Sequence, residues 1–127
     1  MSKIIKTFLE FQSQLKLYHW QTYSYSRHIA SDELFQNMLK KTDVFVETMQ
    51  GLYHVHISLK GSTRSFQLSN LSETNIISYL KSYLLFLKNI HLHLPKKSPK
   101  KDISSLLNLR DEMMEEVQQT LHLFTLK

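Results

Sequence analysis

Between Ser2 and Tyr18 the apolar residues Ile4, Phe8, Phe11, Leu15 and Tyr18 recur every three or four positions, and that spacing returns in three later segments. A period of 3.6 residues puts such positions on one face of a helix, which restricts the chain to amphipathic helices that must bury a stripe. Punctuation is scarce: two glycines and two prolines in 127 residues leave room for few turns. With 42% hydrophobic residues there is material for one core, and the length predicts a single domain over residues 1–127.

The first helix is expected from about Ser2 to Tyr18. Thr22-Tyr23-Ser24-Tyr25-Ser26 is a hydroxyl-rich, poor helix former and reads as the first turn. Ser31-Asp32-Glu33, or the residues just before, can cap a second helix that carries Leu34, Phe35, Met38, Phe45, Met49 and Leu52 on one side. From Tyr53 to Gln67 two readings stand. Val55, Ile57 and Leu59 alternate and Gly61 can close a small hairpin, while a frayed helix followed by a loop fits as well. Ser72 is expected to start a third helix, with Glu73 in its first turn. That helix is apolar on nearly every side, from Ile76 to Ile90, so it should be the most buried element or face a partner too, and it should stop at Pro95. Asp102 caps a fourth helix with Leu106, Met113, Val117, Leu121 and Phe124 inward. Short connections at either end and a longer one in the middle predict an all-α, ferritin-like four-helix bundle with one long crossover between helices 2 and 3.

Several classes of chemistry fall away at once. Without cysteine there are no disulfides, thiolate metal sites or thiol nucleophiles. No glycine-rich phosphate loop and no nucleophile elbow occurs, so hydrolase or transferase chemistry has no support. The N-terminus lacks the apolar run of a signal peptide and nothing reaches transmembrane length, which predicts a soluble, intracellular protein without a membrane partner. Sixteen Lys and Arg against eleven Asp and Glu give a net charge of +5. The excess gathers at Lys96, Lys97, Lys100 and Lys101, around Pro95 and Pro99, which reads as a loop. It is either a polyanion-binding patch, nucleic acid included, or a linker kept solvated by its charge.

The densest cluster of chemistry lies earlier. His19, His28, Asp32, Asp43 and Glu47 place five potential metal ligands within 29 residues, and Trp20 follows His19 directly. Imidazole with carboxylate suits iron, manganese or zinc. Taken singly, a histidine at a helix end is a favourable cap and the carboxylates are a solvated face. With Met38 as the zero direction of helix 2, His28, Asp32, Asp43 and Glu47 lie at roughly 80°, 120°, 140° and 180°, a stripe turned away from the chain's own core. His28 and Asp43 are fifteen residues apart, about 22 Å along a straight helix, against metal–ligand bonds of about 2 Å. One chain cannot bring both to one ion. Two copies of helix 2, antiparallel across a two-fold axis near residues 37–38, would set His19, His28 and Asp32 of one against Asp43 and Glu47 of the other, with Leu39 and Val46 as apolar contact. Metal binding is then expected to require a homodimer.

The pattern His19-Trp20, then His28-x3-Asp32-x10-Asp43-x3-Glu47, resembles that of the mini-ferritins that protect bacterial DNA, the Dps-type proteins. That resemblance implies a ferroxidase centre between two-fold-related subunits, with these five residues as iron ligands and Trp20 beside them to intercept oxidising equivalents. His19-Trp20-Gln21-Thr22 with Asp43-x-Phe45-x-Glu47 is also similar to ferritin-like proteins of large DNA viruses, which implies a virion or virus-factory setting. A second function follows from it: a non-enzymatic structural or assembly protein that keeps the bundle without catalysis, joins a higher oligomer or larger particle, and uses the third helix and basic loop for its partners. The remaining histidine pairs, His54-x-His56 and His91-x-His93, can chelate only if extended, since they diverge on a helix, and read as surface or core-edge positions. Asp111, Glu112, Glu115 and Glu116 read as a solvated acidic face, with Arg110 placed to pair with a carboxylate on a neighbouring helix.

Overall fold

The computed structural model describes residues 1–96 and 100–127, and among them the chain is all-helical, without a strand. The four α-helices are α1 (Ser2–Gln21), α2 (Tyr25–Tyr53), α3 (Asn75–Lys88) and α4 (Ser104–Leu123). They form a four-helix bundle in which α2 packs on α1 and α4, and α3 packs on α4. Phe11 closes the ring between α1 and α3, its side chain stacked on Tyr83 with ring centroids 3.7 Å apart.

The helical periodicity accounts for the core. All five residues of the α1 stripe are buried, as are Leu34, Met38, Phe45 and Met49 of α2, with Phe35 and Leu52 at its edge. On α4, Leu106, Met113, Val117 and Phe124 are buried and Leu121 is half-buried. Burying a side chain of this size is worth about 1.5–3 kcal/mol each, so this stripe outweighs any surface contact in the molecule.

Helix directions follow from one arginine. Arg27, in the first turn of α2, donates to the Glu73 carbonyl just ahead of α3 and to the Phe124 carbonyl after the last turn of α4. Tyr18, near the end of α1, donates to the Glu73 carboxylate at 2.8 Å. So α1 and α4 finish at the end where α2 and α3 start, and residues 54–74 carry the chain back along the bundle.

Several boundaries differ from the sequence expectation. The second helix starts at Tyr25 because Ser24 caps it, its Oγ accepting the Arg27 N–H at 3.2 Å; Ser31 is a buried interior position and not a cap. The third helix starts at Asn75, with Ser72 Oγ accepting the Asn75 N–H at 3.0 Å, which leaves Glu73 ahead of the helix and free to reach other elements. It buries Ile76, Leu80, Tyr83 and Leu87 and leaves Leu85 61% exposed, so its apolar surface is turned only partly inward. It ends at Lys88 and not at Pro95, and one 3-10 turn, Ile90–His93, follows. Arg110 is why the end is stable there: Nη1 donates to the Leu87 and Lys88 carbonyls at 3.2 and 2.9 Å. Its carboxylate partner is Asp111 on the same helix, at 2.7 Å, and not one on a neighbour. In α4 the Asp102 carboxylate accepts the Ser104 N–H at 2.9 Å, with Ile103 between.

No hairpin forms in the long link; a single 3-10 turn, Gly61–Arg64, interrupts an irregular segment. Gly61 takes φ +57°, open to glycine without strain. The backbone of the link bonds to side chains of α1 in place of a second strand. Gln14, buried, donates Nε2 to the Ser69 carbonyl at 2.7 Å and accepts the Ser69 N–H at 2.9 Å. One α1 repeat on, Gln21 donates to the Asn70 side chain at 2.7 Å. Among the described residues no helix is long and apolar enough to cross a membrane.

Candidate metal centre

α1 runs to Gln21 and α2 begins at Tyr25, so only three residues join them. That tight connection, fixed by the Ser24 cap, sets the last turn of α1 against the first turn of α2. His19 and His28 meet there with ring centroids 3.9 Å apart and planes within 15°. Each Nδ1 lies 2.8 Å from the backbone carbonyl oxygen of the other residue. A carbonyl only accepts, so each Nδ1 carries the hydrogen and donates it. In a neutral ring this arrangement leaves the lone pair on Nε2. Ser31 Oγ donates to the His28 carbonyl at 3.1 Å, one more hold on the pair.

Asp32 sits one turn further along α2, at the edge of the same seam. Its Oδ1 accepts from Lys16 Nζ at 3.3 Å. Lys16 was not among the residues singled out in the sequence. Its only trace in the sequence is its spacing, three residues before His19 and four before Trp20 on one helical face. Its ammonium lies 4.7 Å from the Phe35 ring centroid and 5.9 Å from that of Trp20, both within cation–π range. Trp20 itself is 69% exposed.

Asp43 and Glu47 are exposed on the outer face of α2 and form no hydrogen bond or ion pair among the described residues. Asp43 borders an apolar groove lined by Ile5, Leu9, Leu39, Val46 and Ile57. The structure thus brings His19, His28 and Asp32 to one end of the seam and leaves Asp43 and Glu47 apart from them. Among the described residues of the single chain, no three His, Asp or Glu side chains gather into a group that can hold a metal ion.

Behind the histidine pair lies a polar hub that the sequence did not advertise. The Glu73 carboxylate accepts from Tyr18 at 2.8 Å, Thr22 at 2.6 Å and Arg27 at 3.1 Å. Burial pushes this carboxyl up, but the two hydroxyls, the Arg27 charge and the Tyr23 backbone outweigh it and hold the group below the ordinary glutamate value. The Tyr18 phenol is raised, chiefly by burial. Thr22 follows His19 by three residues and Arg27 precedes His28 by one, so the hub grips the connection on which the pair depends.

Other candidates are placed elsewhere. Lys96 and Lys100 are exposed and border, with Lys101, a hollow that Tyr53, His91 and Leu94 also line; Lys97 lies outside the described residues. Of the acidic residues on α4, Glu112 and Glu116 face Lys41 at 3.8 and 4.0 Å, and Glu116 accepts from Asn37 at 3.0 Å. The model of a family of unknown function (DUF5856) matches residues 19–124. No curated protein and no solved structure matches the chain.

Proposed function

We propose, for a chain that belongs to this family of unknown function (DUF5856), a ferritin-like homodimer that binds a divalent metal, iron first, at two equivalent sites shared between subunits. The helix order supports the ferritin-like part of the reading: α1 and α4 run one way, α2 and α3 the other, with one long crossover between α2 and α3.

The observation that carries the metal reading is the reciprocal bonding of His19 and His28. Donation of one ring nitrogen to a backbone carbonyl is how metal-ligating histidines are oriented, and here both rings are held in that way. The donor set, two imidazole Nε2 atoms with carboxylates, fits iron, manganese or zinc. Three of the donors share one end of the seam; Asp43 and Glu47, without partners among the described residues, are left to serve a second copy. Pairing α2 antiparallel across a two-fold near residues 37–38 supplies His19, His28 and Asp32 with Asp43 and Glu47 of the partner subunit. The exposed apolar residues Leu39 and Ile29 on that face are the surface such a dimer would bury.

In this reading Fe(II) is the substrate, oxidised by dioxygen or peroxide, and the carboxylates offset the charge of the Fe(III) product. The chain's own work is to orient the imidazoles, supply the negative charge and exclude bulk water by closing one subunit on the other. Asp43→Asn combined with Glu47→Gln is expected to abolish iron uptake, read by elemental analysis across the size-exclusion peak, with helical circular dichroism unchanged. Iron content at the wild-type level in that double variant would overturn the assignment.

A further inference from the structure

The geometry points to Lys16 as the resident cation of this centre: its ammonium holds Asp32 Oδ1, and a divalent metal must displace it to gain that oxygen. The inference rests on the metal-site reading above and adds the residue that sets its affinity.

Three groups converge on one point of the α1–α2 seam. The Asp32 carboxylate supplies negative charge at 3.3 Å, and the Phe35 and Trp20 rings present their faces at 4.7 and 5.9 Å. A carboxylate beside two aromatic faces is a cradle for a cation, and Lys16 fills it from within the chain. The register makes this local. Lys16 lies one turn before His19 on α1, and Asp32 lies one turn after His28 on α2, so the ammonium stands on the same seam as the stacked imidazoles. The Lys16 side chain is only 28% exposed and that of Asp32 43%, so the pair is partly sheltered, and a second cation on Asp32 would feel the first at close range.

Competition has two consequences. A metal arriving at His19 and His28 finds Asp32 Oδ1 taken until the lysine side chain swings away, and it meets a like charge meanwhile. Both lower the affinity, and both vanish when the charge is removed while the apolar stem stays.

The test is cobalt(II) binding to the full chain, followed by the visible absorption of the bound ion, in wild type, Lys16→Met, Lys16→Gln and Lys16→Arg. Lys16→Met and Lys16→Gln should each bind cobalt about tenfold more tightly than wild type. Lys16→Arg, which keeps the charge, should stay near wild type. Two neutral variants guard against a local packing fault in either, and helical circular dichroism reports on folding of each. If wild type binds cobalt and both neutral variants bind equally or more weakly, the role of Lys16 is overturned while the metal site stands. If only the neutral variants bind, Lys16 suppresses the site entirely, which supports the inference. If no form binds, this inference and the metal-site reading fall together.

Discussion

Glu73 shows how a single carboxylate outside every helix can hold a fold together. It accepts from Tyr18, Thr22 and Arg27, residues that lie 46 to 55 positions earlier in the chain. Its folded-state value lies below the ordinary one, so the sign is fixed. The charged form stabilises the fold fully above the unfolded value of about 4.3, and that contribution is lost as pH falls through the lower folded value. Solvent reaches the Glu73 side chain, 44% exposed, and screens part of the effect. Glu73→Gln is therefore expected to lower Tm at pH 7 by roughly 2–4 °C. The gap to wild type should narrow as pH falls through the lowered folded-state value, where the carboxylate takes up a proton. A pH series of thermal melts checks it, and a gap of constant size would show that the charge contributes nothing. Lys16 and Asp32 are a second case of a charge pair at the seam, and under the proposed metal reading its consequence differs, because the partner of the carboxylate would compete with a ligand.

At the scale of elements, the link 54–74 is the part of the fold with the least apolar support, and Gln14 is its main fastening. The two bonds to Ser69 copy the pairing of a neighbouring strand, made by a buried amide on α1. Gln14→Ala removes both and opens a void beside α1, an expected loss of about 1–2 kcal/mol in chemical denaturation. Since Ser69 is exposed, water can replace the lost partners, so the helices should survive while the link loosens. Faster hydrogen exchange at the Ser69 amide, with protection in α1 and α4 kept, is the expected signature. The same element marks the limit of what the sequence revealed. The four helices and their buried stripes were legible because the 3.6-residue period of Ile4, Phe8, Phe11 and Leu15, and of its later copies, is a local signal. The start of α2 was misplaced because Ser24 and Ser31 both have capping chemistry, and only packing makes Ser31 an interior residue. The course of the link was not legible, since its partners Gln14, Gln21 and Tyr18 sit on another helix and leave no periodicity behind. His19, His28 and Asp32 were legible as ligand types, but Lys16 was not, because a lysine on a helix face is ordinary until its neighbours across the seam are known.

For the whole molecule the question is what covers the outer face of α2. Ile29, Leu39, Asp43, Val44 and Glu47 stand exposed along it, apolar positions mixed with carboxylates that have no partner among the described residues. Burying one such leucine is worth about 1.5–3 kcal/mol, a gain that only a second surface can supply. A two-fold pairing does so on both chains at once, which makes Leu39, close to the proposed axis, the most sensitive point. The wild type is therefore expected to show twice the 15.1 kDa of the chain in light scattering, and Leu39→Asp to show the single mass with its helices intact. Metal adds linkage. An ion bound only by the paired form strengthens pairing by mass action, so cobalt(II) should lower the dissociation constant of the dimer and chelator should raise it. The two halves can fail separately. A dimer that Leu39→Asp breaks, but that neither cobalt nor chelator shifts, would leave this face as a purely structural contact and remove the metal from between the subunits. A wild type that stays at the single mass at about 100 μM with cobalt present would remove the pairing itself, because sites completed by a second copy must draw that copy in.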